Sequence, residues 1–134
     1  MTWLYSDQWA AGFFDGEGCI TVDMRRDKQP GSICAQTTQK MKLPLSILQN
    51  KWGGTIDSFR QSSPCFRWRL SARQAEAFLT AIYPHSLVKR RQIEITFAYL
   101  KTMGKAGTRT PETVKQMRRA LIKELADEKR NWGN

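Results

Sequence analysis

The 134-residue chain carries 22 lysine and arginine residues against 12 aspartate and glutamate residues, which gives a formal net charge of +10. This balance favours a polyanionic partner, and nucleic acid fits it better than an anionic membrane surface, although a basic surface can also be merely solvated. Hydrophobic residues make up 40% of the sequence, including 5 Trp and 6 Phe, which excludes a disordered tail. We therefore expect one domain over residues 1–134.

Cysteine usage and hydropathy argue against secreted, zinc-stabilised and membrane-spanning proteins. Cys19, Cys34 and Cys65 are widely spaced and odd in number, which disfavours a disulfide scaffold, and a single histidine disfavours a structural zinc site. Neither a secretory signal nor an apolar run of membrane-spanning length is visible. These features predict an intracellular protein with no membrane partner.

The first predicted element is a helix that begins near Ser6 or Asp7, either of which can cap its first turn. Gly12 and Gly16 are four residues apart and share one face of this helix, on which a second backbone can approach closely. The surrounding stretch, over residues 10–18, is Ala-Ala-Gly-Phe-Phe-Asp-Gly-Glu-Gly. Two carboxylates therefore stand where the helix ends.

The rest of the chain predicts two hairpins separated by a helix and followed by further helices. The sequence does not decide which face of the third strand is apolar, because an inward Ile56 would leave Asp57 and Phe59 on the other face. The predicted order is strands 19–26 and 32–39, helix 43–52, strands 55–60 and 65–71, and helices 72–82, 88–103 and 111–125, with turns over 27–31 and 61–64 and a basic loop over 104–110.

The stretch over residues 10–18 resembles the signature of the LAGLIDADG homing endonucleases, with Ala10 where the family usually has leucine. The resemblance implies an αββαββα fold of the α+β class, in which a twisted antiparallel four-stranded sheet forms a saddle over DNA, here with additional C-terminal helices. It also implies a site-specific endonuclease that hydrolyses phosphodiester bonds in double-stranded DNA at a long, nearly palindromic target, as in intron homing. Such an enzyme would act in the cytoplasm or nucleoid of a prokaryote or phage host, or in an organelle.

The same resemblance assigns a divalent metal to the end of the first helix. Glu17 would be the acidic ligand and the backbone carbonyl near Gly16 a second one, whereas Asp15 would be structural. Mg²⁺ is the implied cofactor, with Mn²⁺ as a substitute and Ca²⁺ as an ion that supports binding without cleavage. Metal ions about 4 Å apart can activate a water and neutralise a phosphate in two-metal sites, but one Glu17 cannot build such a site alone.

A single copy of the motif implies a symmetric homodimer. Two first helices would pack against each other and bring two Glu17 residues together. The interface would then be centred on Gly12 and Gly16, and Phe13 and Trp9 could either flank it or enter each protomer's core. The DNA target would mirror the twofold symmetry of the protein.

Three further segments resemble the family more weakly, over residues 36–40, 84–92 and 108–114, the last as in homodimeric members with an added C-terminal helix. Gln39, at the end of the second predicted strand, fits a position where a polar side chain orders water near the cleavage site. Lys89 fits the position of a lysine near the scissile phosphate, where it would stabilise developing negative charge. Lys89 also belongs to the basic run 89–91, which is compatible with a solvated helix start.

The strand faces opposite the apolar ones predict the DNA-binding surface. A two-stranded ribbon can enter the major groove, where arginine and glutamine side chains read base edges, and basic side chains nearby contact phosphates. The candidates for the groove are Thr21, Asp23, Arg25, Ser32, Cys34, Gln36, Arg67 and Arg69, and those for phosphates are Arg26, Lys28, Lys40, Lys42, Arg60 and Lys105.

Two other functions are compatible with the same fold. An RNA-binding intron maturase would keep the sheet without needing Glu17, and a non-catalytic DNA-binding regulator would bind without cutting. Glu17 together with Gln39 and Lys89 favours a nuclease over both. No small-molecule substrate is expected.

Overall fold

The structure, a computed structural model, describes residues 6–60, 63–103 and 110–131. The order αββαββα followed by two further helices confirms the predicted α+β fold. The turn predicted over 61–64 lies partly outside the described residues, and the basic loop over 104–110, with Lys105, lies almost wholly outside them. The elements are α1 (Asp7–Glu17), β1 (Gly18–Met24), β2 (Pro30–Gln39), α2 (Leu43–Trp52), β3 (Thr55–Arg60), β4 (Pro64–Ser71), α3 (Ala72–Ile82), a short 3-10 helix (Tyr83–His85), α4 (Arg90–Lys101) and α5 (Glu112–Asn131).

The structure differs from the sequence prediction mainly at the ends of two helices. α4 begins at Arg90 rather than at Val88, because the backbone N–H groups just before it donate to the carboxylate of Asp15. α5 extends to Asn131 rather than ending at Leu125, through a charged segment that consists mostly of good helix formers. Both differences arise after the sheet, so the predicted order of elements is unchanged.

The four strands form one antiparallel sheet in the order β1-β2-β4-β3, so the two hairpins meet at their second strands. In this pairing Gln36 of β2 lies opposite Arg69 of β4, and Asp57 of β3 lies opposite Arg67 of β4. Ile56 pairs with the buried Trp68. The open register of β3 is therefore settled, with Ile56 on the apolar face and Asp57 on the polar one.

The core lies between the apolar face of the sheet and the helices, around the ring of Phe78 on α3. Three other rings meet it edge to face, those of Phe14, Trp52 and Trp68, at centroid distances of 5.2, 4.9 and 5.2 Å. Such edge-to-face pairs stabilise a fold beyond the area that they bury. Because Phe14 belongs to α1, this cluster fixes the first helix against the sheet and leaves its other face available.

α5 packs on α4 and against the first hairpin. Arg118 is buried and donates hydrogen bonds to the backbone oxygen and the hydroxyl of Thr102, after the end of α4. Arg119 donates to the side chain of Gln29 in the β1–β2 turn at 2.6 Å, and Leu125 joins the core. α5 is strongly charged, and within the described ranges no helix has the length and hydropathy needed to cross a membrane.

Candidate active site and nucleic-acid interface

The carboxylate of Asp15 ties the end of α1 to the loop that precedes α4. It accepts a hydrogen bond from Ser86 Oγ at 2.5 Å and from the backbone N–H groups of Leu87, Val88 and Lys89 at 2.7, 3.2 and 3.1 Å. Burial raises the pKa of Asp15, but the hydrogen bonds from Ser86 and from the three N–H groups outweigh it and hold the pKa below its usual range. This arrangement suits the structural part that the resemblance implies for Asp15.

Replacing Asp15 with asparagine is expected to remove an acid-dependent part of the stability. A carboxylate whose pKa is lower in the folded chain than its ordinary 3.8 stabilises the fold fully above that ordinary value. The stabilisation is then lost as the pH falls through the lower folded-state pKa. Urea unfolding measured from pH 6 downward should therefore show a shallower acid loss for Asp15→Asn than for the wild type. Parallel profiles for the two proteins would contradict this linkage.

Lys89 is buried beside the same helix end. Its side chain is 5% exposed, its Nζ donates to the backbone oxygen of Asp15 at 2.9 Å, and the Phe14 ring centroid lies 6.0 Å away. Burial lowers the pKa of Lys89 most, while the negative charges of Asp15 and Glu17 oppose that effect. The structure thus brings Lys89 to the end of α1, although Lys89 and Asp15 are far apart in the sequence.

Glu17 is the last residue of α1, and its side chain is exposed. A carboxylate of this kind is an oxygen ligand that Mg²⁺ prefers, so its chemistry fits the metal that the resemblance implies. In the part of the chain that the structure describes, no group of three or more His, Cys, Asp or Glu side chains could hold a metal ion. Glu17 therefore belongs to no three-ligand cluster among the described residues, and a metal bound to it would need further ligands.

The outer face of α1 is open. Gly12 and Gly16 are exposed, and a Cβ added at either position would meet nothing within 4 Å among the described residues. Phe13 stacks on Trp9 with a ring distance of 5.4 Å, and both rings pack partly against the core. The two glycines therefore leave a flat surface that the protomer's own fold does not require.

Gln39 lies at the same end of the sheet as Glu17. It is the last residue of β2, half-buried, and pairs with Phe66 of β4. Because Thr37 of β2 pairs with Gly18, the residue after Glu17, the end of β2 runs beside the end of α1. The three predicted catalytic residues are thus placed around one point of the fold.

Ion pairs on the polar face of the sheet hold two arginine side chains in place. Arg69 Nη2 lies 3.7 Å from Asp23 Oδ2, and Arg67 Nη2 lies 3.9 Å from Asp57 Oδ2. Arg69 Nε also donates to Cys34 Sγ at 3.5 Å. Exposed pairs of this kind contribute little stability, so another anion can replace the carboxylates at low cost.

One residue predicted to contact DNA, Cys34, is buried. Cys34 is 1% exposed, because the side chains of Arg69 and Gln36 lie against its sulfur, so it does not face solvent as predicted. The remaining predicted residues lie along or beyond the polar face. Half-buried there are Thr21, Ser32, Gln36, Arg67 and Arg69, and exposed are Asp23, Arg25, Arg26, Lys28, Lys40, Lys42 and Arg60.

Two residues from other parts of the chain contact the end of α1, and the sequence did not predict either contact. Ser86 donates to Asp15, and Lys129 of α5 donates to Cys19 Sγ at 3.7 Å and to the backbone oxygen of Ile20. Neither contact leaves a signal in the sequence, since Lys129 and Cys19 are 110 positions apart.

The order of strands and the helix end that carries Glu17 define a protein with the fold of the LAGLIDADG homing endonucleases. Among solved structures, the chain is similar to the homing endonuclease I-CvuI in complex with the I-CreI target, with a TM-score of 0.77 and 20% identity over 91% of this chain and 80% of that one. It is similar to the archaeal intron-encoded homing endonuclease I-Vdi141I complexed with DNA, with a TM-score of 0.76 and 19% identity over 91% and 82% of the two chains.

A third similar structure is longer than this chain. The LAGLIDADG homing endonuclease I-GzeII in complex with its DNA target matches with a TM-score of 0.70 and 15% identity, over 87% of this chain but only 43% of that one. This chain thus spans less than half of I-GzeII. No protein-family model and no curated protein matches the sequence.

Proposed function

We propose that the chain is a site-specific homing endonuclease, which cuts double-stranded DNA as a homodimer with the help of a divalent metal. The observation that carries this proposal is the placement of an exposed carboxylate, Glu17, and a buried ammonium, Lys89, at one helix end beside a basic sheet surface. Solved structures of the same fold include homing endonucleases in complex with DNA. We place the whole chain, residues 1–134, in one endonuclease domain of an intracellular protein.

The open face of α1 supports the homodimer. Glu17 belongs to no three-ligand metal cluster among the described residues, and a site with two Glu17 carboxylates requires a second copy of the chain. Two α1 helices that pack through Gly12 and Gly16 would bring both Glu17 side chains to the twofold axis, with Phe13 at the margin.

A divalent ion would be held by the carboxylate of Glu17 and the backbone oxygen of Gly16, together with DNA phosphate oxygens and water. Mg²⁺ would supply Lewis-acid stabilisation of the phosphate and an activated water, Mn²⁺ would substitute, and Ca²⁺ would support binding only. Solved complexes of I-CvuI with DNA were obtained with Mg and with Ca.

The chain's own side chains then have distinct parts in the reaction. The ammonium of Lys89 donates one hydrogen bond to the backbone oxygen of Asp15. Its two other N–H groups remain for a phosphate oxygen on which negative charge develops. Gln39 would orient water without changing its charge. An intron maturase or a non-catalytic DNA-binding protein would need neither of these two side chains at the end of α1.

The polar face of the sheet would read the DNA. Arg67, Arg69 and Gln36 have the planar donor and acceptor groups that match base edges in the major groove. Bound DNA would replace the carboxylates of Asp23 and Asp57 as partners of the arginines, while Cys34 keeps Arg69 in place. Thr21, Ser32 and Arg25 would complete the groove contacts, and Arg26, Lys28, Lys40, Lys42 and Arg60 would contact phosphates.

A cleavage selection tests the proposed function directly. Purified protein is incubated with a randomised double-stranded DNA library and Mg²⁺, and the cut ends are sequenced. We expect enrichment of one family of sequences built of two inverted half-sites, because protein symmetry is mirrored in the target. A library cut no more than in a reaction with chelator would overturn the proposal.

Replacing Gly12 with leucine is expected to separate the dimer without unfolding the protomer. The added side chain meets nothing within the protomer, but it overpacks the contact between two α1 helices at a cost of about 1–3 kcal/mol. Sedimentation velocity should show the dimer dissociating at a protein concentration roughly fivefold higher or more, with an unchanged circular dichroism spectrum.

The matched control is Ala77→Leu, which adds the same bulk to an exposed position on α3. It should leave the dimer intact. A Gly12→Leu protein that dimerises like the wild type would show that α1 does not form the interface.

A further inference from the structure

The last turn of α5 lies beside the C-terminal end of α1 and places a second lysine, Lys129, there. The Nζ of Lys129 donates to the backbone oxygen of Ile20 and to Cys19 Sγ, which lies 3.7 Å away. Cys19 and the polar residues of β1 share one face, since Ile20 points into the core. The ammonium of Lys129 therefore reaches past the edge of the sheet to the side that carries the arginines.

Lys129 lies on α5 and Lys89 in the loop just before α4, and the charge of Lys129 is near enough to act on Lys89. Burial lowers the pKa of Lys89 most, and the positive charge of Lys129 lowers it further. These two positive charges repel each other in the free protein. An anion bound next to both would remove that repulsion, which favours an anionic ligand at this place.

The hydrogen-bonding capacity of Lys129 is not used up by the protein. An ammonium has three hydrogens and no acceptor. Two of them form hydrogen bonds to the backbone oxygen of Ile20 and to Cys19 Sγ. Among the described residues no carboxylate forms an ion pair with Lys129. One N–H of Lys129 and two of Lys89 are left for a ligand with several acceptor oxygens.

We propose that Lys129 is a second phosphate-binding ammonium of the site, which α5 positions to contact a backbone phosphate of bound DNA beside the one that Lys89 faces. This inference rests on the proposed function and adds to it a contact from the C-terminal helix. The alternative is that Lys129 only anchors α5 on the open edge of β1.

The salt dependence of DNA binding distinguishes the two possibilities. Each neutralised phosphate contributes about 0.9 to the slope of log K against log salt concentration. We expect Lys129→Gln to lower the slope by about 1.8 for the selected target in Ca²⁺, because the proposed homodimer carries two copies of Lys129, and Lys129→Arg to keep it. Lys123→Gln, at an exposed position on the same helix, should match the wild type. An unchanged slope for Lys129→Gln, whatever its thermal stability, overturns the inference.

A measurement on the wild type covers the case in which Lys129→Gln does not fold. Acetylation of individual lysines is followed by mass spectrometry with and without the target DNA in Ca²⁺. DNA should lower the labelling of Lys129 severalfold and leave that of Lys123 unchanged, and equal labelling of Lys129 in both samples overturns the inference. A wild type that binds and cuts no DNA overturns the proposed function as well, whereas an active wild type with an unprotected Lys129 overturns this inference alone.

Discussion

Replacing Glu17 with glutamine is expected to abolish DNA cleavage and to leave DNA binding nearly unchanged. The amide has the shape of the carboxylate but lacks the charge that a divalent ion requires. Glu17 is exposed at the end of α1, so the substitution should not disturb the fold. Single-turnover cleavage with Mg²⁺ should fall below detection, while the Kd for the selected target in Ca²⁺ should stay within a factor of a few.

Glu76→Gln is the matched control for this experiment. Glu76 is an exposed glutamate on α3, and its substitution removes the same charge from the protein. It should cut at the wild-type rate. If Glu17→Gln also cuts near the wild-type rate, Glu17 is not a metal ligand and the nuclease mechanism proposed for this chain is wrong.

Replacing Lys89 with methionine is expected to slow the chemical step about a hundredfold or more, as for other groups that stabilise transition-state charge. Methionine fills most of the buried space of Lys89 but donates no hydrogen bond. Because the charge acts mainly on the transition state, the affinity for the target should change little. Single-turnover rates on saturated DNA and binding in Ca²⁺ separate the two quantities.

Arg69→Ala should show the opposite pattern. Arg69 lies on the polar face of the sheet beside Asp23. Loss of a bidentate base contact should weaken target binding by about 1–3 kcal/mol and leave the rate on saturated DNA close to that of the wild type. A Lys89→Met protein that loses affinity but keeps its rate would make Lys89 a phosphate anchor rather than a catalytic residue.

The parts of this fold that depend on neighbouring residues could be predicted from the sequence. The bounds of α2, β3 and α3 follow from Pro44 in the first turn of α2, from the Gly-Gly pair after it and from alternation in the second hairpin. The first helix and its two carboxylates were also predicted, and Ser6 is the residue that caps it, through a 3.0 Å bond from the Trp9 N–H.

The parts of the fold that depend on contacts between distant residues could not be predicted from the sequence. The strand sequence of β3 places apolar side chains on both faces, so only its pairing with β4 decides which face Ile56 takes. The start of α4 depends on Asp15, and the environment of Cys34 on the strands that flank β2. The contact of Lys129 requires the packing of α5, which no local pattern in the chain reveals.

The bonds around Asp15 have a consequence for redesign of this chain. All four groups that donate to its carboxylate come from the loop before α4, and Lys89 returns a bond to the backbone of Asp15. No strand residue donates to this carboxylate, so the bonds that join the end of α1 to Lys89 do not involve the polar face of the sheet. Arg67, Arg69 and Gln36 can therefore be exchanged to retarget the protein without breaking the bonds that set the distance between Glu17 and Lys89.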